Sequence, residues 1–368
     1  MDKIKKYFDC WVPTENCNFQ CKYCYIPTLE NFKHKTIKFG YSAEEFKKAL
    51  TTRRLGGVCM FNICAGGETL LSNEVVPFAK AMLENGHYVM IVTNGSITPK
   101  FDEMSNFSQD LRKRLFIKFS YHYLELKRLN LTEVFFNNVK KMKDAGISFT
   151  VEVTPNDDYI PYIDEIKREC QEYTGAIPHL TVARVENGDY PIMTKLSRED
   201  YIKTWSVFDS ELFNFKISVF NEKRKEFCYA GKWSFILSLA DGNIKQCYRG
   251  MVIQNIFDEM DKPLKEMPVG NNCPEPHCFN SHGFLCFGDI PEINSPYFDE
   301  IRNRICSDKS EWLQPEMKGF MHTKLFENND ELTNKDKNKA NATVRRKARN
   351  EKIKAKIKRI IKKIRKDK

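Results

Sequence analysis

The hydrophobic and polar positions in the first half of the chain alternate between two periods. Short apolar, β-branched runs that are typical of buried strands alternate with stretches whose apolar residues recur every three to four positions, as in amphipathic helices. The predicted strands are Tyr7–Val12, Val58–Cys64, Tyr88–Val92, Leu115–Ser120, Ser148–Val153 and His179–Val185. The predicted helices include Ala43–Leu50, a helix capped by Asn73 that ends at Glu84, Thr132–Ala145 and Tyr162–Tyr173. This alternation indicates an α/β fold with a parallel sheet, open or curled into a partial barrel.

The alternation stops after Ser197. A helix is predicted over Arg198–Leu212, and strands over Trp233–Leu239 and Ile244–Gln246 form a hairpin around the turn at Asp241 and Gly242. A further helix is predicted over Phe298–Cys306, and the chain is polar and then basic from Glu327. We therefore expect four segments: a barrel over 1–195, a helical connector over 196–224, a Cys-rich hairpin module over 225–320 and a tail over 327–368.

The composition points to metal or redox chemistry. The chain has 13 cysteines, unevenly spread, and its start lacks the apolar core of a signal peptide. No apolar run reaches the roughly 18 residues of a membrane-spanning helix. We expect a cytoplasmic protein, and in that reducing compartment clustered cysteines indicate metal or redox sites rather than disulfides.

The basic charge belongs to the end of the chain. The formal net charge is +10, but residues 341–368 alone contain 14 Lys and Arg and two acidic residues. The first 340 residues are therefore nearly neutral. Ile353, Ile357, Ile360, Ile361 and Ile364 recur at helical spacing among these basic residues, which predicts a basic amphipathic helix. An anionic membrane surface, nucleic acid and a disordered, solubilising tail are the three interpretations.

Cys17, Cys21 and Cys24 form a C-x3-C-x2-C loop just after the first predicted strand. Three thiolates on one short loop suit a [4Fe–4S] cluster, and three ligands for four irons leave one iron open to another molecule. The alternative is a zinc knuckle, but a structural zinc site normally needs four protein ligands. No fourth Cys or His lies close by in the sequence.

This loop, with an aromatic residue (Tyr23) before the last cysteine, resembles the signature of the radical SAM superfamily. The resemblance covers about residues 8–190 as a barrel and about 225–290 as a second module. It implies a partial (β/α)6 TIM-like barrel whose cluster binds S-adenosylmethionine. It also implies reductive cleavage of S-adenosylmethionine to a 5′-deoxyadenosyl radical that abstracts hydrogen from a substrate.

The resemblance assigns further cofactor contacts to the ends of the strands. Gly66, Gly67 and Glu68 match the superfamily's GGE motif, which implies contact with the methionine amino group; an ordinary strand-to-helix turn is the alternative. Asn94 in Thr-Asn-Gly, Ser120, Arg128 and Arg184 are the other expected contacts, together with Tyr23. The spacing of Arg128 departs from the superfamily pattern, and a solvated helix charge is its alternative role.

A second group of cysteines surrounds the predicted hairpin. It consists of Cys228, Cys247, Cys273, Cys278 and Cys286. The group resembles the SPASM and twitch extensions of radical SAM enzymes, which implies an auxiliary [4Fe–4S] cluster held by four of these five residues. A zinc ribbon is the alternative.

Together these patterns predict a radical SAM enzyme, of oxidoreductase type, assisted by one auxiliary cluster. The resemblance implies an electron donor such as flavodoxin or ferredoxin and leaves the substrate open among peptides, protein side chains, sugars and other small molecules. Only 16 residues precede Cys17, so we expect no separate peptide-binding domain ahead of the barrel. The competing hypothesis is a non-catalytic zinc or iron–sulfur adaptor that uses its basic tail to bind a membrane or nucleic acid.

Overall fold

A computed structural model describes residues 2–24, 38–186 and 190–364 of the protein, without the side chains of 354–356 and 358–364. The last four residues of the predicted tail, 365–368, lie outside the described residues. Nine strands in these ranges form one sheet in the order β6-β5-β4-β3-β2-β1-β7-β8-β9. Their bounds are β1 Lys6–Val12, β2 Cys59–Ala65, β3 Tyr88–Thr93, β4 Leu115–Ser120, β5 Ser148–Val153, β6 His179–Leu180, β7 Ser234–Ser238, β8 Asn243–Lys245 and β9 Val252–Asn255.

Strands β1–β6 run parallel, which confirms the predicted partial barrel. Strands β7 and β8 form the predicted antiparallel hairpin. The hairpin is not a detached unit, because β7 pairs parallel with β1, with Tyr7 opposite Ser234. The β-sheet of the hairpin module is thus continuous with the barrel sheet.

Thirteen α-helices accompany the sheet in the described ranges. They are α1 Ala43–Ala49, α2 Thr52–Leu55, α3 Val75–Glu84, α4 Thr98–Ser105, α5 Gln109–Lys113, α6 Tyr123–Arg128, α7 Thr132–Asp144, α8 Ile163–Thr174, α9 Arg198–Trp205, α10 Glu211–Ser218, α11 Ser281–Phe284, α12 Pro315–Met321 and α13 Asn334–Ile364.

Three sequence-based elements differ from the structure. The helix predicted over Arg198–Leu212 is broken, because Asp209 has φ 44° and Ser210 then caps α10 through its side chain. Residues 298–306 form turns rather than a helix. The sixth strand is shorter than predicted, since regular pairing ends at Leu180.

The two faces of the sheet carry different residues. Alternate positions face outward and join the hydrophobic core beneath the helices, including Phe8, Phe61, Ile63, Ile91, Ile117, Phe119 and Phe235. Each such fully buried side chain stabilises the fold by roughly 1.5–3 kcal/mol. The intervening positions face the barrel interior, including Asp9, Trp11, Asn62, Cys64, Val92, Lys118 and Ser120. The period of two along each strand therefore fills the interior with polar and reactive groups.

The C-terminal residues pack against a second apolar layer on the inner side of the sheet. Tyr7 stacks near Phe284 and Phe287, with ring centroids 5.6 and 5.0 Å away, and Tyr88 stacks on Phe320 at 3.7 Å. These rings belong to one buried cluster that also holds Met60 and Phe116 from the sheet, together with Phe298 and Met317. The hairpin module and the barrel thus share a core.

Helix α13 begins as a packed element and not as a free tail. Asn341 accepts hydrogen bonds from Asn271 N and Asn272 Nδ2 at 3.0 and 2.9 Å, and its own Nδ2 donates to Asn271 Oδ1 at 2.9 Å. Lys347 Nζ donates to the Val252 carbonyl at 2.5 Å. The part of α13 from Asn341 to Lys347 therefore contacts the body of the protein. Across the described ranges, no helix has both the length and the apolar character needed to cross a membrane.

Candidate active site

The three cysteines of the C-x3-C-x2-C loop lie at the carboxyl edge of the parallel strands. Cys17, Cys21 and Cys24 line one cavity of about 320 Å³ with the residues that follow β2, β3, β4 and β6. Parallel strands end at a common edge, so loops that are far apart in the sequence converge there. This convergence brings the cysteine loop, Gly66–Glu68, Asn94, Ser120 and Arg184 together as the sequence predicts.

Local hydrogen bonds set the shape of the cysteine loop. Cys24 N donates to Cys21 O at 3.0 Å, and Phe19 N donates to Cys17 Sγ at 3.4 Å. The loop is anchored to α6, because Gln20 N donates to Glu125 Oε2 at 3.1 Å. The backbone alone therefore holds the three thiols toward the cavity.

Burial favours the neutral form of the cysteine thiols, so a bound metal would be needed to keep them ionised. Burial raises the pKa of the Cys17 thiol to about 11 and raises that of Cys21 further. Three thiols that line one cavity are a donor set that suits an iron–sulfur cluster, and a bound metal ion deprotonates its thiol ligands. Across the described residues, no three His, Cys, Asp or Glu side chains converge closely enough to share a single metal ion.

Gly67 is packed directly against the cysteine loop. A Cβ at this position would lie 2.0 Å from Asn16 O, whereas a Cβ at Gly66 would lie 3.4 Å from its nearest neighbour, Thr14 O. Glu68 N also donates to Asn16 O at 2.9 Å. The absent side chain at Gly67 thus lets the loop after β2 touch the loop after β1.

The Glu68 carboxylate is buried and bound to the end of β3. It accepts hydrogen bonds from Thr93 Oγ1 at 2.6 Å, Asn94 N at 2.7 Å and Leu70 N at 2.9 Å. Its side chain therefore ties two strand ends together, while it also lines the cavity. Burial raises the pKa of Glu68 although these three donors oppose the shift.

Asn94 connects β3 to the cysteine loop. Its Nδ2 donates to Asn18 Oδ1 at 2.8 Å and lies 4.0 Å from Cys17 Sγ. Ser120 lines the same cavity from β4, and its hydroxyl accepts a hydrogen bond from Lys118 Nζ at 3.3 Å. Arg184 lines it from the segment after β6 and pairs with Glu186 at 2.5 Å.

Two expected cofactor contacts are engaged elsewhere. The Tyr23 hydroxyl hydrogen-bonds to His122 Nδ1 and accepts a hydrogen bond from Tyr159 at 3.3 Å, so only its ring is left to line the cavity. Arg128 lies outside the cavity lining, because its guanidinium pairs with Glu125 at 2.8 Å and its side chain is 54% exposed. The structure thus makes Arg128 a support for the carboxylate that anchors the cysteine loop.

Four of the five C-terminal cysteines share a second, smaller cavity. Cys228, Cys247, Cys273 and Cys278 line a space of about 50 Å³. Cys228 pairs with Gly270 just before β7, and Cys247 follows β8, so the hairpin brings the two together. Burial raises the pKa of all four thiols, to about 12 for Cys247.

Cys286 lies apart from this group. It is fully buried in the apolar cluster that also contains Leu285 and Phe287, and it does not line the small cavity. Besides burial, the charges of Lys324 and Lys216 have the largest effects on the pKa of Cys286. The sequence left open which four of the five cysteines share a site, and Cys286 is the one that lies outside the shared cavity.

The comparisons with known proteins address the first cavity directly. Residues 11–161, which include the cysteine loop and the GGE segment, match the family profile described as the radical SAM superfamily. This segment of the chain is therefore similar to the radical SAM superfamily. The match supports the predicted enzyme class at the level of the superfamily.

One curated relative matches a short part of the chain. It is a protein of Methanocaldococcus jannaschii that carries the provisional name of a glycyl-radical enzyme activating enzyme. The two chains are 32% identical over 82 residues, which is 22% of this chain and 29% of the relative. The chain therefore matches less than a third of the relative's length.

Three solved structures show similarity to part of the chain. SuiB of Streptococcus suis bound to S-adenosylmethionine has a TM-score of 0.47 and 15% identity, covering 70% of this chain and 65% of its own. The protein anSMEcpe bound to AdoMet has a TM-score of 0.48 and 15% identity, covering 69% and 79%. BtrN in complex with AdoMet and 2-DOIA has a TM-score of 0.34 and 16% identity, covering 71% and 82%. Similarities of this size carry no functional argument.

Several residues that line the first cavity were not predicted from the sequence. His122, Thr181, Val182 and Glu186 belong to its wall, as does Cys64. Burial lowers the pKa of His122 to about 4, so its ring is neutral at physiological pH. Their positions just after β4 and β6 were visible in the sequence, but nothing local marks which of these side chains turn inward.

Proposed function

We propose that the protein is a radical SAM enzyme in which Cys17, Cys21 and Cys24 hold the [4Fe–4S] cluster that binds S-adenosylmethionine. The observation that carries the proposal is the convergence of the three cysteines with Gly66–Glu68 and the end of β3 in one cavity. Three thiolates leave one iron open for the ligand. When bound, the cluster and S-adenosylmethionine supply reductive cleavage to a 5′-deoxyadenosyl radical.

The chain's own residues position these groups. Glu68 fixes the end of β3 and presents the Asn94 side chain toward Cys17. Gly67 brings the GGE backbone within hydrogen-bonding distance of the cysteine loop. Ser120 and Arg184 face the same cavity from β4 and from the segment after β6, and we assign them to the nucleoside end of S-adenosylmethionine.

We assign the second cysteine cavity to one auxiliary [4Fe–4S] cluster held by Cys228, Cys247, Cys273 and Cys278. Two observations support this assignment: the four thiols share one small cavity, and burial disfavours their ionisation in the absence of a metal. Cys286 is the spare member of the group because it packs in the apolar core.

The remaining partners follow from this chemistry. Reductive cleavage needs an external one-electron donor, and we propose a flavodoxin or a ferredoxin.

We propose that the chain is divided into a barrel over 1–195, a connector over 196–224 and a Cys-rich module over 225–320. The pairing of β7 with β1 joins the module to the barrel. The basic end of α13 is proposed to dock the enzyme at the periphery of an anionic membrane on its cytoplasmic side.

Two measurements test these assignments. Anaerobically reconstituted protein, given S-adenosylmethionine and dithionite, is expected to release 5′-deoxyadenosine. A protein that holds its full iron but releases none would contradict the proposal and favour the non-catalytic adaptor.

The auxiliary site has a matched pair of variants. Wild-type protein is expected to hold about eight irons, since each cubane contains four. Cys278→Ala is expected to lose about four irons, whereas Cys286→Ala is expected to keep all of them. Equal losses in the two variants, or zinc in place of iron, would refute the assignment.

A further inference from the structure

The largest described cavity lies inside the barrel, next to both cysteine sites. Its volume is about 640 Å³. It shares Cys64, Ala65 and Val92 with the first cavity, and Tyr248 and Phe279 with the cavity of the second cysteine group. A molecule bound here would contact the radical-generating site on one side and the auxiliary site on the other.

Cationic side chains dominate the wall of this cavity. They are Lys118, Arg184, Lys216, Lys245 and Arg302. Lys216 and Arg302 are more than nine-tenths buried, with 9% and 1% of their surface exposed. Buried cations of this kind are rare unless they are paired or bind an anion.

The carboxylates near these cations do not balance them. Glu152 serves two cations, because it pairs with Lys118 at 3.2 Å and also with Arg302. Glu186 pairs with Arg184. Lys216 donates to Thr181 Oγ1 at 2.8 Å, and no described carboxylate lies within ion-pair distance of it.

The two acidic residues of the wall are engaged elsewhere. Asp9 accepts hydrogen bonds from Asn62 at 2.8 Å and Asn280 at 2.6 Å, and burial raises its pKa to about 6. Asp241 accepts hydrogen bonds from the backbone and side chain of Asn243 in the hairpin turn. Neither carboxylate therefore neutralises Lys216.

Several hydrogen-bonding atoms at the cavity also lack partners. Arg184 Nε, Arg302 Nε and His282 Nδ1 are buried and have no hydrogen-bond partner among the described residues. Burial, Arg184 and Lys118 together lower the pKa of Lys216 to about 7. Burial and the three cations Lys216, Lys118 and Arg184 hold the pKa of His282 well below its usual range. The cavity is thus short of negative charge, and the Nε groups of two of its arginines lack acceptors.

We propose that this cavity binds the substrate, and that the substrate carries an oxyanion, a carboxylate or a phosphate, held by Lys216 with Lys118. The inference rests on the proposed radical SAM function and names the chemical class of its substrate. A bound oxyanion supplies the acceptors and the charge that the wall lacks. Trp11 and Tyr248, 41% and 43% exposed in the same cavity, offer apolar contact to the rest of the molecule.

The test measures binding of simple anions and does not depend on turnover. The reconstituted full-length protein is titrated with inorganic phosphate, with succinate and with neutral glucose at constant ionic strength. The thermal midpoint, followed by circular dichroism, reports binding because a ligand of the native state raises it. We expect phosphate or succinate to raise the midpoint and glucose to leave it unchanged.

Variants locate the anion. Lys216→Met is expected to weaken anion binding about tenfold or more, as expected for the loss of one charge-assisted hydrogen bond. Lys265→Met, at a surface lysine that pairs with Glu259, is expected to bind like wild type. If Lys216→Met fails to take up iron, Lys118→Met provides the same comparison at the other lysine of the proposed site.

The pattern of stabilisation distinguishes a phosphorylated substrate from a carboxylated one. Stabilisation by phosphate alone identifies a phosphorylated substrate, and stabilisation by succinate alone identifies a carboxylate; stabilisation by both supports a general oxyanion site. No stabilisation by either anion, or equal weakening by Lys265→Met, overturns the inference. Release of 5′-deoxyadenosine from the same wild-type preparation separates this failure from a failure of the proposed function.

Discussion

The Glu68 carboxylate accepts a hydrogen bond from the Thr93 hydroxyl at 2.6 Å, which joins the loop after β2 to the end of β3. Glu68→Ala would leave this hydroxyl and two backbone N–H groups buried without their acceptor. We expect the free energy of unfolding to fall by about 2–4 kcal/mol. Chemical denaturation measures the change, and Glu133→Ala on an exposed face is the control, with a loss below about 1 kcal/mol. A similar loss in both variants would contradict the structural role of Glu68.

The two glycines before Glu68 are expected to respond differently to a methyl group. Gly67→Ala places a Cβ 2.0 Å from Asn16 O and must displace the cysteine loop. Gly66→Ala meets only ordinary contacts, the nearest at 3.4 Å. After anaerobic reconstitution we expect Gly67→Ala to lack about four irons and Gly66→Ala to keep the wild-type content. Full iron in Gly67→Ala would show that the two loops do not touch as described.

His87 makes the fold sensitive to acid. Its Nδ1 accepts a hydrogen bond from Cys59 N at 3.2 Å and its Nε2 donates to Leu50 O at 2.8 Å, which fixes the neutral ring. Burial lowers the pKa of His87 to about 4, whereas an unfolded histidine titrates near pH 6.5. The unfolded chain therefore binds more protons between these values, so the stability that His87 contributes is present above pH 6.5 and is lost as the pH falls toward 4.

The loss expected from His87 is roughly 3 kcal/mol over that range. Denaturation of wild type and His87→Gln at several pH values measures it, and the variant is expected to lose less stability in acid. Parallel pH profiles for wild type and His87→Gln would refute the prediction.

The basic end of α13 can be tested without disturbing its packed beginning. A chain that ends at Ala348 keeps Asn341 and Lys347, which contact the rest of the protein. We expect full-length protein to float with anionic vesicles and the shortened chain to bind them at least tenfold more weakly, since each Lys or Arg near the surface contributes about 1 kcal/mol. Vesicles of neutral phosphatidylcholine are the control. Equal flotation of the two chains would rule out membrane docking by this segment.

Local patterns in the sequence predicted the barrel and its first cavity well. The bounds of β4 and β5 match their predicted ranges, because a run of buried β-branched and apolar residues needs no distant information. The cysteine loop and the GGE segment were found for a related reason, since each is a short motif at the end of a strand. Both motifs lie at the carboxyl edge of the sheet because the strands that precede them run parallel.

Features that depend on distant contacts were not predictable. The hairpin pairs with β1 across more than 200 residues, and Arg302 reaches Glu152 across 150 residues. Cys286 follows Cys278 in the same Cys-rich stretch, and only the fold shows that it lies within the apolar cluster and outside the small cavity. Lys216 belongs to no motif in the sequence, yet α10 places it in the wall of the large cavity.

The most direct test of the central claim replaces Cys17, Cys21 and Cys24 together by alanine. Wild-type protein, reconstituted anaerobically, is expected to hold about eight irons and to release 5′-deoxyadenosine from S-adenosylmethionine in the presence of dithionite. The triple variant is expected to hold about four irons, those of the auxiliary site, and to release none. Unchanged iron in the triple variant, together with no 5′-deoxyadenosine from wild type, would contradict the claim.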